Sequence, residues 1–174
     1  VTLPWASRWY ATKKNYGDFL VEDQLVRKFV KKEYGFAGIS KIEIERIGDR
    51  VKVHIFSARP GLVIGKKGSK VDKLSQDLTN LIGRVVDFDV KEIESPEVDA
   101  QIVAESIAEQ LQKRSPYRRT MRRYAEMVMD LGAKGVKILC KGRLGGADIA
   151  RAEKINLGSV PLSSLRADID YAQG

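Results

Sequence analysis

The chain has 174 residues, of which 43% are apolar, and it carries a net charge of +8. Its single cysteine, Cys140, excludes an internal disulfide and a cysteine-based metal cluster, and the sequence has neither an 18-residue apolar run nor a signal-peptide pattern. We therefore expect a soluble intracellular protein of one large or two small domains, with a polyanionic partner and no membrane contact.

The first residue is Val1, not methionine, and we expect the sequence to belong to a longer chain. We assign residues 1–17 to an N-terminal extension. Residues 18–34 have the apolar spacing of a helix that ends at Gly35. The positions expected on its buried side are Leu25, Val26, Phe29 and Val30.

Alternating apolar and charged residues over 41–47 and 51–56 predict two antiparallel strands joined by a Gly48-Asp49 turn. Pro60 suits the first turn of a short helix, and Ser69 is placed to cap a longer one. The apolar positions of the longer helix are Val71, Leu74, Leu78 and Leu81, and a third strand follows through Val86, Phe88 and Val90.

The predicted order over residues 18–94 is helix, strand, strand, helix, GKKG, helix, strand. This order is typical of the type II KH domain, a module that binds single-stranded nucleic acid and in which a GxxG loop joins two central helices. The chain contains four GxxG matches, but Gly65–Gly68 is the one predicted to lie between two helices.

The Gly65–Gly68 segment has the chemistry of a loop that holds phosphate. Glycines let backbone N–H groups approach a sugar-phosphate chain, and the following helix presents its positive N-terminus. An ordinary surface turn between two helices is the alternative interpretation. The candidate RNA-binding residues here are Gly65, Lys66, Lys67, Gly68 and Lys70.

Residues 95–174 predict a second domain, of two helices on a small antiparallel sheet, so the fold class is α+β. Pro96 and Pro116 are placed to open the two helices. Strands are expected over 135–141 and 166–171, with residues 151–157 as a third between them.

The basic charge is concentrated in this second domain. Between Lys113 and Lys154 there are 12 basic and 4 acidic residues, a difference that equals the whole net charge. On the second helix, four arginines fall opposite the apolar side at about 100° per residue. A solvated face is the alternative, although arginines without interleaved acids repel one another. The arginines are Arg118, Arg119, Arg122 and Arg123, and the further residues assigned to RNA binding are Lys137, Arg143, Arg151 and Lys154.

Six motifs are distributed over almost the whole chain: SRWYA (7–11), VIGKKG (63–68), YRRTMRR (117–123), LGAKGVKI (131–138), GRLGGADIAR (142–151) and VPLSSLRADIDYA (160–172). Together they resemble the family of small-subunit ribosomal proteins conventionally numbered three, in its bacterial or organellar form. GRLGGADIAR and LRADIDYA are long ordered matches and are far more specific than any GxxG.

The resemblance implies a protein of the head of the small ribosomal subunit, on a bacterial cytoplasmic ribosome or an organellar one. It implies binding to ribosomal RNA and to neighbouring head proteins, beside the channel through which messenger RNA enters. In that family, basic residues that match Arg118, Arg119 and Arg122 face incoming messenger RNA and are associated with opening its secondary structure.

Two other classes of function fit the sequence less well. An enzyme has little support: there is no GxxxxGK[ST] loop, and His54, the single histidine, excludes HExxH zinc chemistry. We expect no catalytic residue, cofactor or metal. A DNA-lesion lyase would need a lysine of depressed pKa, which nothing in the sequence identifies. A free-standing KH regulator of transcription or ribosome assembly is the other alternative, and the second domain argues against it.

Overall fold

The computed structural model of the chain describes residues 4–65 and 68–174. The chain divides into two compact units, with the division between Pro96 and Glu97. Helices and two separate sheets give the mixed α+β architecture that the sequence predicts. None of the helices in the described ranges is long and apolar enough to cross a membrane.

The N-terminal unit has the element order predicted for a type II KH domain. A single sheet has the strand order β1-β2-β3-β4, in which the central pair is antiparallel and each outer strand runs parallel to its neighbour. The elements are β1 (Ser7–Arg8), α1 (Tyr16–Tyr34), β2 (Ile39–Ile47), β3 (Arg50–Ser57), α2 (Pro60–Ile64), α3 (Ser69–Ile82) and β4 (Val86–Glu92).

The core of this unit lies between the helices and one face of the sheet. Side chains alternate along β2 and β3, so Ile44, Val53 and Ile55 point toward the helices, where each is fully buried. The helices contribute the buried side chains of Val26, Val30, Leu74 and Leu78.

Three details of the predicted helices are wrong. Leu25 and Leu81 keep 43% and 48% of their surface exposed. At about 100° per residue, Leu25 lies well away from the row that faces the sheet, and at the end of α3 it is Ile82 that packs on the core. Ser69 is the first residue of α3, not its cap; the N-cap is Gly68, and no side chain caps this end.

A buried ion pair fastens α1 to β2. The Arg46 Nη2 atom lies 2.6 Å from Asp23 Oδ1, and Arg46 Nη1 lies 2.5 Å from Glu22 Oε2. The side chains of Arg46 and Asp23 are only 5% and 3% exposed. Asp23 also accepts hydrogen bonds from Ser7 Oγ at 2.9 Å and Trp9 Nε1 at 2.8 Å. One carboxylate therefore ties the N-terminal segment to α1 and, through Arg46, to the sheet.

The sheet face turned away from the helices carries charged side chains that bury one another. Glu43 and His54 are cross-strand neighbours there, and both are buried. The Glu43 carboxylate lies 2.9 Å from Lys41 Nζ and 3.5 Å from Arg8 Nη2, and His54 Nδ1 lies 2.9 Å from Asp89 Oδ2. Burial alone would raise the pKa of Glu43, but the hydrogen bond from Lys41 and the charges of Lys41, Arg8 and His54 lower it below its ordinary value.

This lowered pKa predicts acid sensitivity of the N-terminal unit. Because Glu43 holds its proton less tightly when folded, its contribution to stability is present above the unfolded pKa of about 4.3 and is lost as the pH falls through the folded value. Urea unfolding followed by Trp9 fluorescence should therefore show a shallower loss of stability below about pH 4.3 in Glu43→Gln than in the parent protein. The control is the exposed Glu94→Gln; equal slopes for parent and Glu43→Gln would contradict the assignment.

The C-terminal unit is a helix pair on a two-stranded antiparallel sheet. One helix packs against both strands and the other helix packs against it, around a small core of Val103, Ile107 and Val128. The elements are α4 (Ala100–Gln112), α5 (Tyr117–Asp130), β5 (Gly135–Gly142) and β6 (Arg151–Gly158).

The strand predicted over residues 166–171 does not form. This segment has no regular secondary structure, and the Asp170 carboxylate instead accepts a hydrogen bond from the backbone N–H of Ala100 at 2.8 Å. The Asp99 side chain caps the same helix end, which explains why α4 begins at Ala100 and not directly after Pro96. Asp170 of the RADIDY segment thus helps to cap α4 and does not belong to a strand. The strand that pairs with β5 is β6.

Candidate nucleic-acid interface

The Gly65–Gly68 loop joins α2 to α3, as the sequence predicts, and its described ends have backbone conformations suited to glycine. Gly65 has φ +72° and Gly68 has φ +81°. Residues that carry a Cβ rarely adopt this left-handed backbone conformation. Since no side chain of the described residues caps α3, its first N–H groups and the positive end of its dipole are directed toward this loop. Lys66 and Lys67, both predicted to bind RNA, lie outside the described residues.

Lys70 is the predicted RNA-binding residue that borders the loop. Its side chain lies so close to Gly65 that a Cβ added there would be 2.7 Å from Lys70 Cγ. Lys70 Nζ donates a hydrogen bond to the Leu62 carbonyl at 3.3 Å, near the end of α2. The lysine therefore holds the two sides of the loop together while its side chain stays largely exposed.

The four arginines of α5 form one exposed face opposite a buried one. The buried side consists of Thr120, Met121, Ala125 and Val128, whereas all four predicted arginines are exposed. Within the described ranges, Arg119, Arg122 and Arg123 make no salt bridge, so their guanidinium groups are available to a polyanion. We call the set Arg118, Arg119, Arg122 and Arg123 the arginine face.

Arg118 is the member of the arginine face that already has a partner. Its Nη2 donates to Glu153 Oε1 of β6 at 3.0 Å, and its guanidinium carbon lies 5.6 Å from the centroid of the Tyr117 ring. The hydrogen bond that Arg118 donates to Glu153 and the Tyr117 charge raise the pKa of Arg118 above its usual range. The sequence alone does not reveal this pairing, because Glu153 is 35 residues away in the chain and reaches α5 through the β5–β6 register.

Lys137 and Lys154 do not belong to the arginine face. Side chains alternate along β5, and Val136 packs into the core with α5, so Lys137 lies on the opposite side of the hairpin. Lys154 follows Glu153, which points to α5, and therefore lies on that opposite side as well. The two lysines share the outer face of the hairpin, where both are exposed.

Arg143 and Arg151 lie at the turn end of the β5–β6 hairpin. Arg143 Nε donates to the Ala147 carbonyl at 2.9 Å, and its Nη2 lies 3.5 Å from Asp148. Arg151, the first residue of β6, is exposed and shares its strand face with Glu153. The predicted basic residues of this unit thus occupy three places: the arginine face, the outer hairpin face and the turn end of the hairpin, where Arg151 lies on the α5 side of β6.

Other residues singled out from the sequence have packing environments. His54 is buried and bonded to Asp89, and burial of Cys140 raises the pKa of its thiol, so the thiolate form is disfavoured. Among the described residues, no cluster of three or more His, Cys, Asp or Glu side chains is arranged to hold a metal ion.

A type II KH unit joined to an α+β unit with an arginine-lined helix is characteristic of an RNA-binding protein. Residues 25–98 match the family model of the KH domain, and residues 107–174 match that of the C-terminal domain of ribosomal protein S3. The chain belongs to the uS3 family of small ribosomal subunit proteins.

Three curated relatives support this assignment, and each is named small ribosomal subunit protein uS3. The relative from Rhodopirellula baltica is 53% identical over 98% of this chain and 75% of its own length. The relative from Desulfatibacillum aliphaticivorans is 53% identical over 98% of this chain and 78% of its own length. The relative from Clostridium botulinum is 54% identical over 96% of this chain and 76% of its own length. Membership of a structural ribosomal-protein family confirms the predicted family and the prediction that the chain is not an enzyme.

Proposed function

We propose that this chain is a structural component of the head of the small ribosomal subunit, where it binds ribosomal RNA and neighbouring head proteins and holds incoming single-stranded messenger RNA. The observation that carries the messenger RNA role is the arginine face. Three guanidinium groups that make no salt bridge with any described residue, and one paired to Glu153, line one side of a helix whose other side is buried, so the charge is presented from a rigid support.

The arginine face acts on the sugar-phosphate backbone. Guanidinium groups make charge-assisted, bidentate hydrogen bonds to phosphate, and these contacts hold a strand without reading its bases. Because the sequence has no nucleotide-triphosphate loop, opening of a messenger RNA hairpin must come from thermal fluctuation or from the advance of the ribosome. The arginines then trap the strand that has opened.

Two other surfaces bind RNA in this proposal. The Gly65–Gly68 loop, with Lys66, Lys67 and Lys70, contacts RNA backbone at the N-terminus of α3. Lys137 and Lys154 lie on the other side of the hairpin from α5, so we assign them, with Arg143 of the hairpin loop, to ribosomal RNA and not to the messenger strand. Arg151 lies on the α5 side of its strand, like Glu153, so we assign it to RNA that passes beside the arginine face. A ribosomal protein that touches ribosomal RNA on one side and messenger RNA on another needs such separate basic surfaces.

Alanine at all four positions of the arginine face should weaken single-stranded RNA binding and reduce its salt dependence. Each phosphate contact to a single strand contributes about 0.7 to the slope of log K against log salt concentration, so the slope should fall by about 2 if the three unpaired arginines engage and by about 3 if Arg118 joins them. Titrations of the isolated chain at several salt concentrations measure this. The control removes four exposed charges elsewhere by alanine at Lys13, Lys14, Lys28 and Arg50, and should leave the slope nearly unchanged.

The ribosomal role is tested with small subunits that carry the same four alanines. Translation through a stable hairpin should slow more than translation of an unstructured message, because trapping of opened strands is lost. Co-sedimentation of the variant with small subunits at high salt establishes that the particles are assembled. Equal slowing on both messages with normal assembly would refute messenger RNA trapping and leave the arginine face as an anchor for ribosomal RNA.

A further inference from the structure

Phe36 is a large aromatic side chain whose exposure the packing does not explain. It lies in a one-turn helix, Gly35–Ala37, between α1 and β2, and 60% of its surface is exposed. The ring stands beside that of Tyr34, with a centroid distance of 6.2 Å and an interplanar angle of 32°. Tyr34 packs against the core, whereas Phe36 does not. An accessible aromatic face is therefore presented next to a partly buried one.

The turn that carries Phe36 is held firmly against the β3–α2 connection. Ser57 Oγ donates to the Ala37 carbonyl at 2.9 Å, and both residues are fully buried. The backbone N–H of Ala58 donates to the Gly38 carbonyl at 2.9 Å. Since α2 begins two residues after Ala58, the turn sits beside α2, the helix that leads into the Gly65–Gly68 loop. Phe36 is thus fixed in position without being buried.

Lys70 links the aromatic ring to the loop. Its Nζ lies 5.8 Å from the centroid of the Phe36 ring, its aliphatic stem lies against Gly65, and its carbonyl accepts a hydrogen bond from the Tyr34 hydroxyl at 3.3 Å. Lys70, at the start of α3, therefore lies against Gly65 at one end of the loop and beside the ring. A nucleotide places its phosphate and its base on the same sugar, so a strand on the loop brings bases within reach of Phe36.

We propose that Phe36 stacks a nucleobase of the single-stranded RNA whose backbone lies on the Gly65–Gly68 loop. The proposal rests on the proposed function of that loop and adds a base contact to it. Exposed aromatic rings beside a basic groove hold single strands in this way, and the stacking tolerates any base because every base has a π face. The charge around the ring is net positive and favours RNA over a protein partner. Lys70 lies beside the ring, and Lys31 and Lys32 lie in the last turn of α1, compared with two acidic residues, Glu33 and Asp77, whose charges act on Tyr34.

The experiment uses the full chain with the four arginine-face residues replaced by alanine, so that the KH unit dominates binding. The probes are a fluorescent single-stranded RNA decamer and a decamer of the same length and charge made of abasic ribonucleotides. Removal of one aromatic ring on which a base stacks raises Kd about 5- to 150-fold. We expect this rise for Phe36→Ala and Phe36→Leu on the normal decamer, and little change for Phe36→Trp, which keeps an aromatic face.

The abasic decamer separates stacking from phosphate contact. The abasic decamer should bind Phe36→Ala as tightly as it binds the parent protein. Replacing Lys66 and Lys67 with aspartate should instead weaken the binding of both decamers. The exposed Tyr10→Ala is the matched control and should change neither. An unchanged Kd for Phe36→Ala on the normal decamer, or an equal loss on both decamers, overturns the stacking proposal. If the two aspartates also have no effect, the proposed role of the loop fails with it.

Discussion

Arg46→Ala should lower the free energy of unfolding of the N-terminal unit by about 3–5 kcal/mol, the range found when one member of a buried ion pair is removed. The loss is large because Asp23 would remain as a carboxylate that is 3% exposed and would lose the guanidinium group that lies 2.6 Å from it. Total stabilities of domains are about 5–15 kcal/mol, so this change alone could leave the unit only marginally folded. Urea unfolding followed by the fluorescence of Trp9, whose ring N–H is bonded to Asp23, measures it.

A second substitution, at Asp23, shows whether the loss comes from an uncompensated charge or from lost packing. Arg46→Met keeps most of the side-chain volume but leaves Asp23 charged, so adding Asp23→Asn should restore stability to Arg46→Met although Asp23→Asn alone destabilises the parent. Asparagine keeps an oxygen that can accept from Trp9 Nε1. Further destabilisation in the double variant would show that packing of the arginine, and not an uncompensated charge, is what Arg46→Ala removes.

Arg84 offers the matched control within the same cluster. Its Nε also approaches Glu22, at 3.5 Å, and its guanidinium carbon lies 4.8 Å from the Phe19 ring centroid, close to the 4.6 Å of Arg46. The Arg84 side chain is, however, 27% exposed. Solvent screening limits such pairs to about 0–1 kcal/mol, so Arg84→Ala should have a small effect.

The elements of the fold were predictable because each depends on local periodicity. The alternation of 41–47 and 51–56 and the proline and glycine positions around α2 and α3 define the KH order without tertiary information. The wrong predictions fall where contacts between distant parts of the chain determine the local structure. RADIDY alternates like a strand, but its Asp170 caps α4, which lies about 70 residues earlier in the chain. Leu25 fits the helical pattern and is nevertheless outside the core.

For the candidate site, the exposure of the predicted arginines follows from the sequence, whereas the arrangement of the other basic residues does not. Charge counting and helical angle were sufficient to find the arginine face, because both are properties of one helix. The Arg118–Glu153 pair and the separation of Lys137 and Lys154 from the arginines depend on the register of β5 and β6, which the sequence does not specify. The sequence does not single out Phe36, because its proximity to Lys70 arises from the way the β3–α2 connection holds the Gly35–Ala37 turn.

Gly158→Ala is the substitution expected to damage the C-terminal unit most. Gly158 pairs with Gly135 at the open end of the β5–β6 hairpin, and its backbone has φ +66°, a conformation that costs a residue with a Cβ about 1–2 kcal/mol. The added Cβ would also lie 2.4 Å from the Lys134 carbonyl oxygen, which already accepts a hydrogen bond from Ser159. Forcing the strands apart costs about a further 1–3 kcal/mol.

Two other glycines separate the conformational cost from the steric one. Gly145 has nearly the same φ, +67°, but among the described residues the nearest atom to its added Cβ would be in Tyr117, at 3.8 Å, so Gly145→Ala should lose about 1–2 kcal/mol. Gly135 has no positive φ, yet its Cβ would lie 2.3 Å from the Ser159 carbonyl oxygen, so Gly135→Ala should lose about 1–3 kcal/mol.

The measurement must report on this unit alone, and both tryptophans, Trp5 and Trp9, lie in the N-terminal unit. Amide hydrogen exchange of β5 and β6 gives the local free energy of opening, while tryptophan fluorescence should show that the other unit is unaffected. Because Gly158 combines both costs at one position, its loss should approach the sum of the other two, about 2–5 kcal/mol. Suppose that Gly158→Ala lowers this free energy no more than Gly145→Ala does. The strands could then separate near Lys134 without a free-energy cost, and the close approach of Gly158 and Gly135 would not help to hold β6 against α5.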